Sequence, residues 1–156
     1  MLNIAQFRSL IVQPALRDLV MYSEDAEELM VFTCAVESLG GTYLQQVKGP
    51  ALGIFQMEPA TYNDLWQNYI KNKSALFMIM LSNFEAHNMP SEERLIWDLR
   101  YAAAMTRIYY FRVQQALPSC KDVNAIWEYY KTYYNTAAGA AQKDDSIRKY
   151  LKFLNS

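Results

Sequence analysis

The sequence predicts a mainly helical single domain, residues 1–156, with a small extended element beside a cleft. Three observations carry this reading. The segment LMVFTCAV, Leu29 to Val36, is apolar on every side, as a helix through the middle of a core must be. Helix start and stop signals recur along most of the chain. The pieces TYLQQV and LGIFQM, by contrast, alternate and tolerate extended backbone, and Lys48-Gly49-Pro50 joins them.

Taken in order, residues 4–12 and 14–22 read as two short helices, with Pro14 in the first turn of the second, where its missing N–H costs nothing. Ser23 is an N-cap ahead of Glu24-Asp25-Ala26-Glu27-Glu28, an acidic turn that complements the helix dipole. This core helix should run to Leu39, where Gly40-Gly41 stop it. Residues 42–57 read as a small hairpin or as two irregular extended segments. Thr61 is the expected N-cap of the next helix, with Asp64 three residues on. A helix follows from Lys73 to Asn88, and Asn88-Met89-Pro90-Ser91 breaks the chain. A long helix is expected from Ser91 to about Val113, with Ala102-Ala103-Ala104 small enough to admit a neighbour closely. Asp122 caps a helix through Trp127 to Tyr134. Ile147, Tyr150, Leu151 and Leu154 then mark an amphipathic C-terminal helix. There is no internal repeat, low-complexity tract or linker.

Composition narrows the function classes. At 156 residues the chain suffices for one core, with 52% apolar residues, 20% charged and a net charge of −1. Nucleic-acid binding would need clustered Lys and Arg, and none is visible. The longest apolar run, Ala75 to Leu81, is far too short to span a bilayer. The start of the chain carries polar residues through its apolar pattern, so no secretory signal is expected. Cys34 and Cys120 read as reduced apolar residues. His87 is the only histidine, so neither a Cys–His pair nor a zinc site is expected, and no metal or cofactor is called for.

The chemistry concentrates in Glu37 to Thr61, ESLGGTYLQQVKGPALGIFQMEPAT. Glu37 stands at the last turn of an apolar helix, where poor solvation disfavours the charged carboxylate and raises its pKa. A general acid working near neutral pH requires that shift. Downstream, Ala51-Leu52-Gly53-Ile54-Phe55-Gln56 with Pro59 and Thr61 resembles the A-x-G-(L/I)-x-Q-x-x-P-x-T signature of lytic transglycosylases related to goose-type lysozyme. The E-S pair of that family is matched by Glu37-Ser38, in the right order and at about the right distance. The compact Q-M-E-P-x-T pattern is most similar to small phage-encoded versions carrying this domain.

The resemblance implies a lysozyme-like α+β fold and cleavage of the MurNAc–GlcNAc β-1,4 bonds of peptidoglycan glycan strands. It implies Glu37 as the catalytic residue and Ser38, Gly53, Phe55 and Gln56 as substrate-binding or supporting residues. Tyr133-Tyr134-Asn135-Thr136-Ala137-Ala138-Gly139 resembles the family's A-Y-N-A-G segment, whose tyrosine lies over the glutamate, and so adds Tyr134 and Asn135 to the cleft. Gly49 and Gly53 are also simple turn glycines on a plain reading, and Tyr134 is equally one of 12 tyrosines. Tyr69, Tyr109, Tyr110, Tyr129 and Tyr130 read as core or cleft-wall aromatics. The family's N-I-x-x-G-x-x-Y-L element falls on Asp98 to Thr106, where Asp98, Ala102 and Met105 replace its Asn, Gly and Tyr. These departures bear on the far wall of the cleft and leave the acid untouched.

Most glycosidases use two carboxylates. Glu58 is the nearest second candidate and Asp64 another, yet neither is convincingly placed by sequence. The resemblance implies a single-glutamate scheme, in which the N-acetyl group assists departure and the C6 hydroxyl closes on C1. Without a signal, delivery to the host periplasm and wall is expected in a phage particle, with tail or baseplate proteins as partners. A virion structural protein with a lysozyme-like body is the competing reading, and a hydrolytic lysozyme or endolysin another.

Overall fold

A computed structural model describes residues 1–136 and 138–156 and is helical over most of its length. The centre is α3 (Glu24–Ser38), whose Leu29, Val31, Phe32, Cys34 and Ala35 are at most 1% exposed. Burial on all sides is what this largely apolar segment requires, and each large apolar side chain so buried contributes roughly 1.5–3 kcal/mol. Ser23 caps the helix as expected, its side chain accepting from Ala26 N at 3.0 Å. The helix closes one residue before the glycines. Leu39 itself takes the left-handed conformation at φ 52°, and Gly40 and Gly41 follow at 61° and 78°. A Cβ on Gly40 would lie 2.6 Å from the Phe153 ring, and one on Gly41 2.6 Å from Leu2, so both chain ends can close against this turn.

The N-terminal helices join. α1 (Ile4–Gln6) continues through a π-helical segment, Phe7–Val12, into α2 (Gln13–Asp18). Pro14 explains the widening: it has no N–H and its ring crowds the carbonyl four residues back, and Gln13 N bonds Arg8 O instead.

α4 (Pro59–Asn68) starts with Pro59 at its first position and Glu58 as N-cap, three residues earlier than a Thr61 cap would allow. α5 (Ser74–Phe84) ends short of Asn88. The long helix expected over 91–113 is two helices, α6 (Arg94–Trp97) and α7 (Leu99–Phe111). Asp98 is why: its carboxylate accepts from Tyr101 N and from the Arg94 guanidinium, so it caps α7 rather than extending α6. Ala102, Ala103 and Ala104 are buried where α7 meets α2, α3 and α4.

α8 (Val123–Tyr130), capped by Asp122, passes into a second π-helical segment, Lys131–Asn135. α9 (Lys143–Leu154) packs on α3 with Ser146, Tyr150 and Phe153 buried and with Ile147 and Leu154 partly buried against the core. Leu151, expected inside, is 50% exposed, because Phe7 draws Phe153 inward, with ring centroids 5.3 Å apart.

One contiguous core runs from Phe7 to Phe153. Residues 42–57 form a series of turns and bends rather than a hairpin or two extended segments, with isolated antiparallel bridges Gln45–Leu52 and Leu52–Met57. Among the described residues no helix is long and apolar enough to cross a membrane.

Candidate active-site cleft

The open end of α3 delivers Glu37 to the floor of a cleft of about 730 Å³. Burial raises the pKa of its carboxyl, and a position at a helix C-terminus works in the same direction. Three groups oppose that rise. The Tyr130 hydroxyl donates to Glu37 Oε1 at 2.5 Å, and the Lys149 ammonium and the neighbouring Asn135 amide also favour the carboxylate. Desolvation is the largest influence, and the net shift is upward.

Behind the acid, Ser38 is fully buried and ties the helix end to the motif loop. Its Oγ contacts Ile54 O at 2.6 Å and Cys34 O at 3.1 Å, and accepts from Gly41 N at 2.9 Å. The loop itself folds back as a tight turn, with Leu52 and Met57 exchanging backbone bonds at 2.9 and 3.0 Å. Within it, Gln56 adopts φ 51° and its amide donates to Gly53 O at 2.7 Å. Gly53, at φ 74°, is required by close packing on α6: a Cβ there would sit 2.3 Å from Leu95 O. Phe55 is 1% exposed and packs on Phe7, while its carbonyl accepts from Tyr134 at 2.8 Å.

The sequence-derived candidates therefore divide. Glu37, Gln56, Tyr134 and Asn135 line one cleft. Ser38, Gly53 and Phe55 do not line it; their side chains or Cα pack behind its wall and hold it in shape. Gly49 likewise faces the Gln46 side chain. The tyrosine bonded to the glutamate is Tyr130, not Tyr134. Tyr134 stacks on Tyr130 with centroids 6.2 Å apart and reaches the loop carbonyl instead. Burial, with the Glu37 charge next, holds both phenols well above the ordinary tyrosine range, so both remain donors near neutral pH.

Sequence reasoning also left Tyr109, Asp145 and Lys149 out of the named site, yet all three line the cleft. The i,i+4 spacings Tyr130–Tyr134 and Asp145–Lys149 were the available signals, since such pairs share a helix face. Lys149 Nζ lies 2.8 Å from Asp145 Oδ2, so α9 brings a paired cation to the cleft. Of the residues expected on the far wall, Asp98 caps α7 and Met105 is fully buried, and neither lines the cleft; Tyr109, one turn beyond Met105, does.

The two second-acid candidates separate as well. Glu58 is exposed and lines the cleft. Asp64 does not line it: Asn68 and Arg112 bind its carboxylate and lower its pKa. Cys34, buried in α3, has its thiol pushed up to about 12 by burial and is chemically quiet. Among the described residues no group of three or more His, Cys, Asp or Glu side chains is arranged to hold a metal ion.

No family model, no curated protein and no solved structure matches this chain.

Proposed function

We propose that the protein is a lytic transglycosylase of peptidoglycan, with Glu37 as its single acid and base and with a lysozyme-like arrangement of helices and bridged loop around the cleft. The observation that carries the reading is a carboxyl of raised pKa, held by a tyrosine hydroxyl, on the floor of a cleft beside Gln56, Tyr134 and Asn135. A cleft of about 730 Å³ is of the size that encloses a small ligand. Tyr109 offers an aromatic face for a sugar ring.

With Oε1 accepting from Tyr130, the proton of the neutral acid belongs on Oε2. That proton passes to the glycosidic O4 as the C1–O4 bond of the muramyl residue breaks. The acetamido oxygen of the same residue bonds to C1 as O4 leaves, giving an oxazolinium ion. The Glu37 carboxylate then takes the C6 hydroxyl proton while O6 attacks C1 and the acetamido oxygen departs. The acid is regenerated and the strand ends in 1,6-anhydromuramic acid. The intramolecular hydroxyl is favoured because it is held near C1 at high effective concentration, whereas water needs a base to position it.

The test is digestion of purified wall by wild type and Glu37→Gln, with products separated by chromatography and identified by mass spectrometry. The expected outcome is anhydromuramic ends from wild type and no soluble product from the variant, with matched circular dichroism. Equal lysis by both proteins would remove the catalytic assignment. Predominantly reducing muramic ends would keep Glu37 as the acid but make the enzyme a lysozyme, with Glu58 the next base to test. The compact Q-M-E-P-x-T form of the motif supports extending the proposal to a phage tail component acting in the host wall. Mass spectrometry of purified virions checks that extension, and accumulation only in the lysing cell would favour an endolysin.

A further inference from the structure

A second cavity, of about 420 Å³, shares no lining residue with the cleft. It lies between the end of α2, the start of α5 and the last turns of α7, and its walls are mainly apolar, including Leu76, Ile79 and Phe111. Arg107 also lines it and is 7% exposed. Its guanidinium carries five donors. Yet Nη1 is buried with no partner, and Nε reaches only the Met21 carbonyl, at 3.5 Å. Among the described residues no carboxylate lies within 4.0 Å of it, and burial draws its pKa down. Lys73, exposed and likewise in no ion pair among the described residues, stands at the same cavity with its ammonium over the Tyr69 ring.

A buried guanidinium without an anion is an expensive arrangement for a fold to keep. The rim adds a second oddity. Val20 is 80% exposed and holds φ 58°, a conformation that β-branched residues avoid, and Phe111 is 49% exposed. Apolar surface is thus displayed around a pocket whose inner cation stands over the Phe111 ring at 5.5 Å, with Nη1 unpartnered and no carboxylate beside it among the described residues.

We propose that this cavity binds a fatty-acid carboxylate of short to medium chain. The head group lies against Arg107, whose planar fork matches a carboxylate, and the tail runs along Leu76, Ile79 and Phe111. A singly charged head group fits one buried guanidinium with one ammonium at the rim. Phosphate, with more charge and no tail, would leave the apolar walls uncovered.

Isothermal titration with octanoate and with 1-octanol, each below its aggregation concentration, tests the proposal on the intact chain. Octanoate should bind saturably, and octanol at least about tenfold more weakly, since only the acid satisfies the guanidinium. Arg107→Met keeps the length of the side chain and should abolish that preference, with thermal melting as the check on folding. Ala75→Trp, at an exposed lining position on α5, should exclude both ligands while leaving Arg107 intact. If Arg107→Met fails to fold, the acid–alcohol comparison and Ala75→Trp still decide. Octanol binding as tightly as octanoate, octanoate binding unaffected by Ala75→Trp, or no saturable binding would each overturn the proposal.

Discussion

Replacing Tyr130 with Phe removes one oxygen from the core and with it the hydrogen bond to Glu37 Oε1 at 2.5 Å. A hydrogen bond to a charged acceptor contributes about 1.5–3 kcal/mol, and the low end applies because the Glu37 carboxylate is only partly buried. The neutral acid would also lose a bond, worth about 0.5–1.5 kcal/mol. The differential loss of roughly 1 kcal/mol corresponds to about a fivefold tighter hold on the proton. Tyr130→Phe should therefore raise the pKa of Glu37 further.

The sign carries over to stability. A carboxyl whose folded pKa is raised contributes stability that is present at low pH and lost as pH rises through the folded value. Tyr130→Phe should thus cost more at neutral pH than below the ordinary glutamate range. Carbon-13 NMR titration of labelled glutamate, with the Glu37 signal identified by its absence in Glu37→Gln, measures the shift directly and needs no activity. The alkaline limb of wall digestion should move the same way. A midpoint that stays put or falls would show that Tyr130 does not favour the carboxylate, and the account of this acid would fail.

Gly53→Ala should lower the melting temperature by the equivalent of at least about 2 kcal/mol, because a Cβ would meet Leu95 O at 2.3 Å on backbone at φ 74°. Val20→Gly should raise it by roughly 1 kcal/mol, since φ 58° costs a β-branched residue about that much, and a fall would show that the exposed side chain has a partner in the fold. Glu37→Gln should be as stable as wild type at acid pH and more stable near neutrality, because it removes a carboxylate that burial disfavours; a differential melt across pH reads this. Glu58→Gln should keep activity within about tenfold and keep the anhydro product, whereas a loss beyond about a hundredfold would point to two acids.

Legibility followed locality. The Ser23 cap, the core helix, the Asp122 cap and the placing of Glu37 at a helix end depend on neighbours within a turn or two, and a sequence displays those. Asp98 shows the limit. It sits inside a continuous helical pattern, and only the reach of Arg94 from one side and Tyr101 N from the other makes it a boundary. Phe55 and Gly53 lie in the motif, but their neighbours Phe7 and Leu95 are distant in sequence, so their packing role had no local trace. Tyr130 was one tyrosine among 12. The i,i+4 spacing to Tyr134 puts both on one face, but which of them reaches the acid depends on how α8 docks on α3.

In the proposed reaction one carboxyl must give up a proton and then take one back, so its pKa has to lie near the working pH rather than at either extreme. Burial alone would leave Glu37 too reluctant to ionise for the second step. Strong pairing alone would leave it ionised and useless for the first. The fold sets these influences against each other from different elements. α3 provides the desolvation, α8 and its π-helical continuation provide Tyr130 and Asn135, and α9 provides Lys149. Lys149 is itself tied to Asp145, which limits how far its charge can draw the carboxyl down. The widening at Lys131–Asn135 matters for the same reason. Lys131 Nζ bonds both Asn135 Oδ1 at 2.8 Å and Gly139 O at 2.7 Å, holding that turn beside the acid. Loosening the π turn or removing the Lys149 charge should therefore shift the acid upward, as Tyr130→Phe does, while opening the apolar floor under α3 should shift it down. The elements that build the core thus also set the balance of the acid.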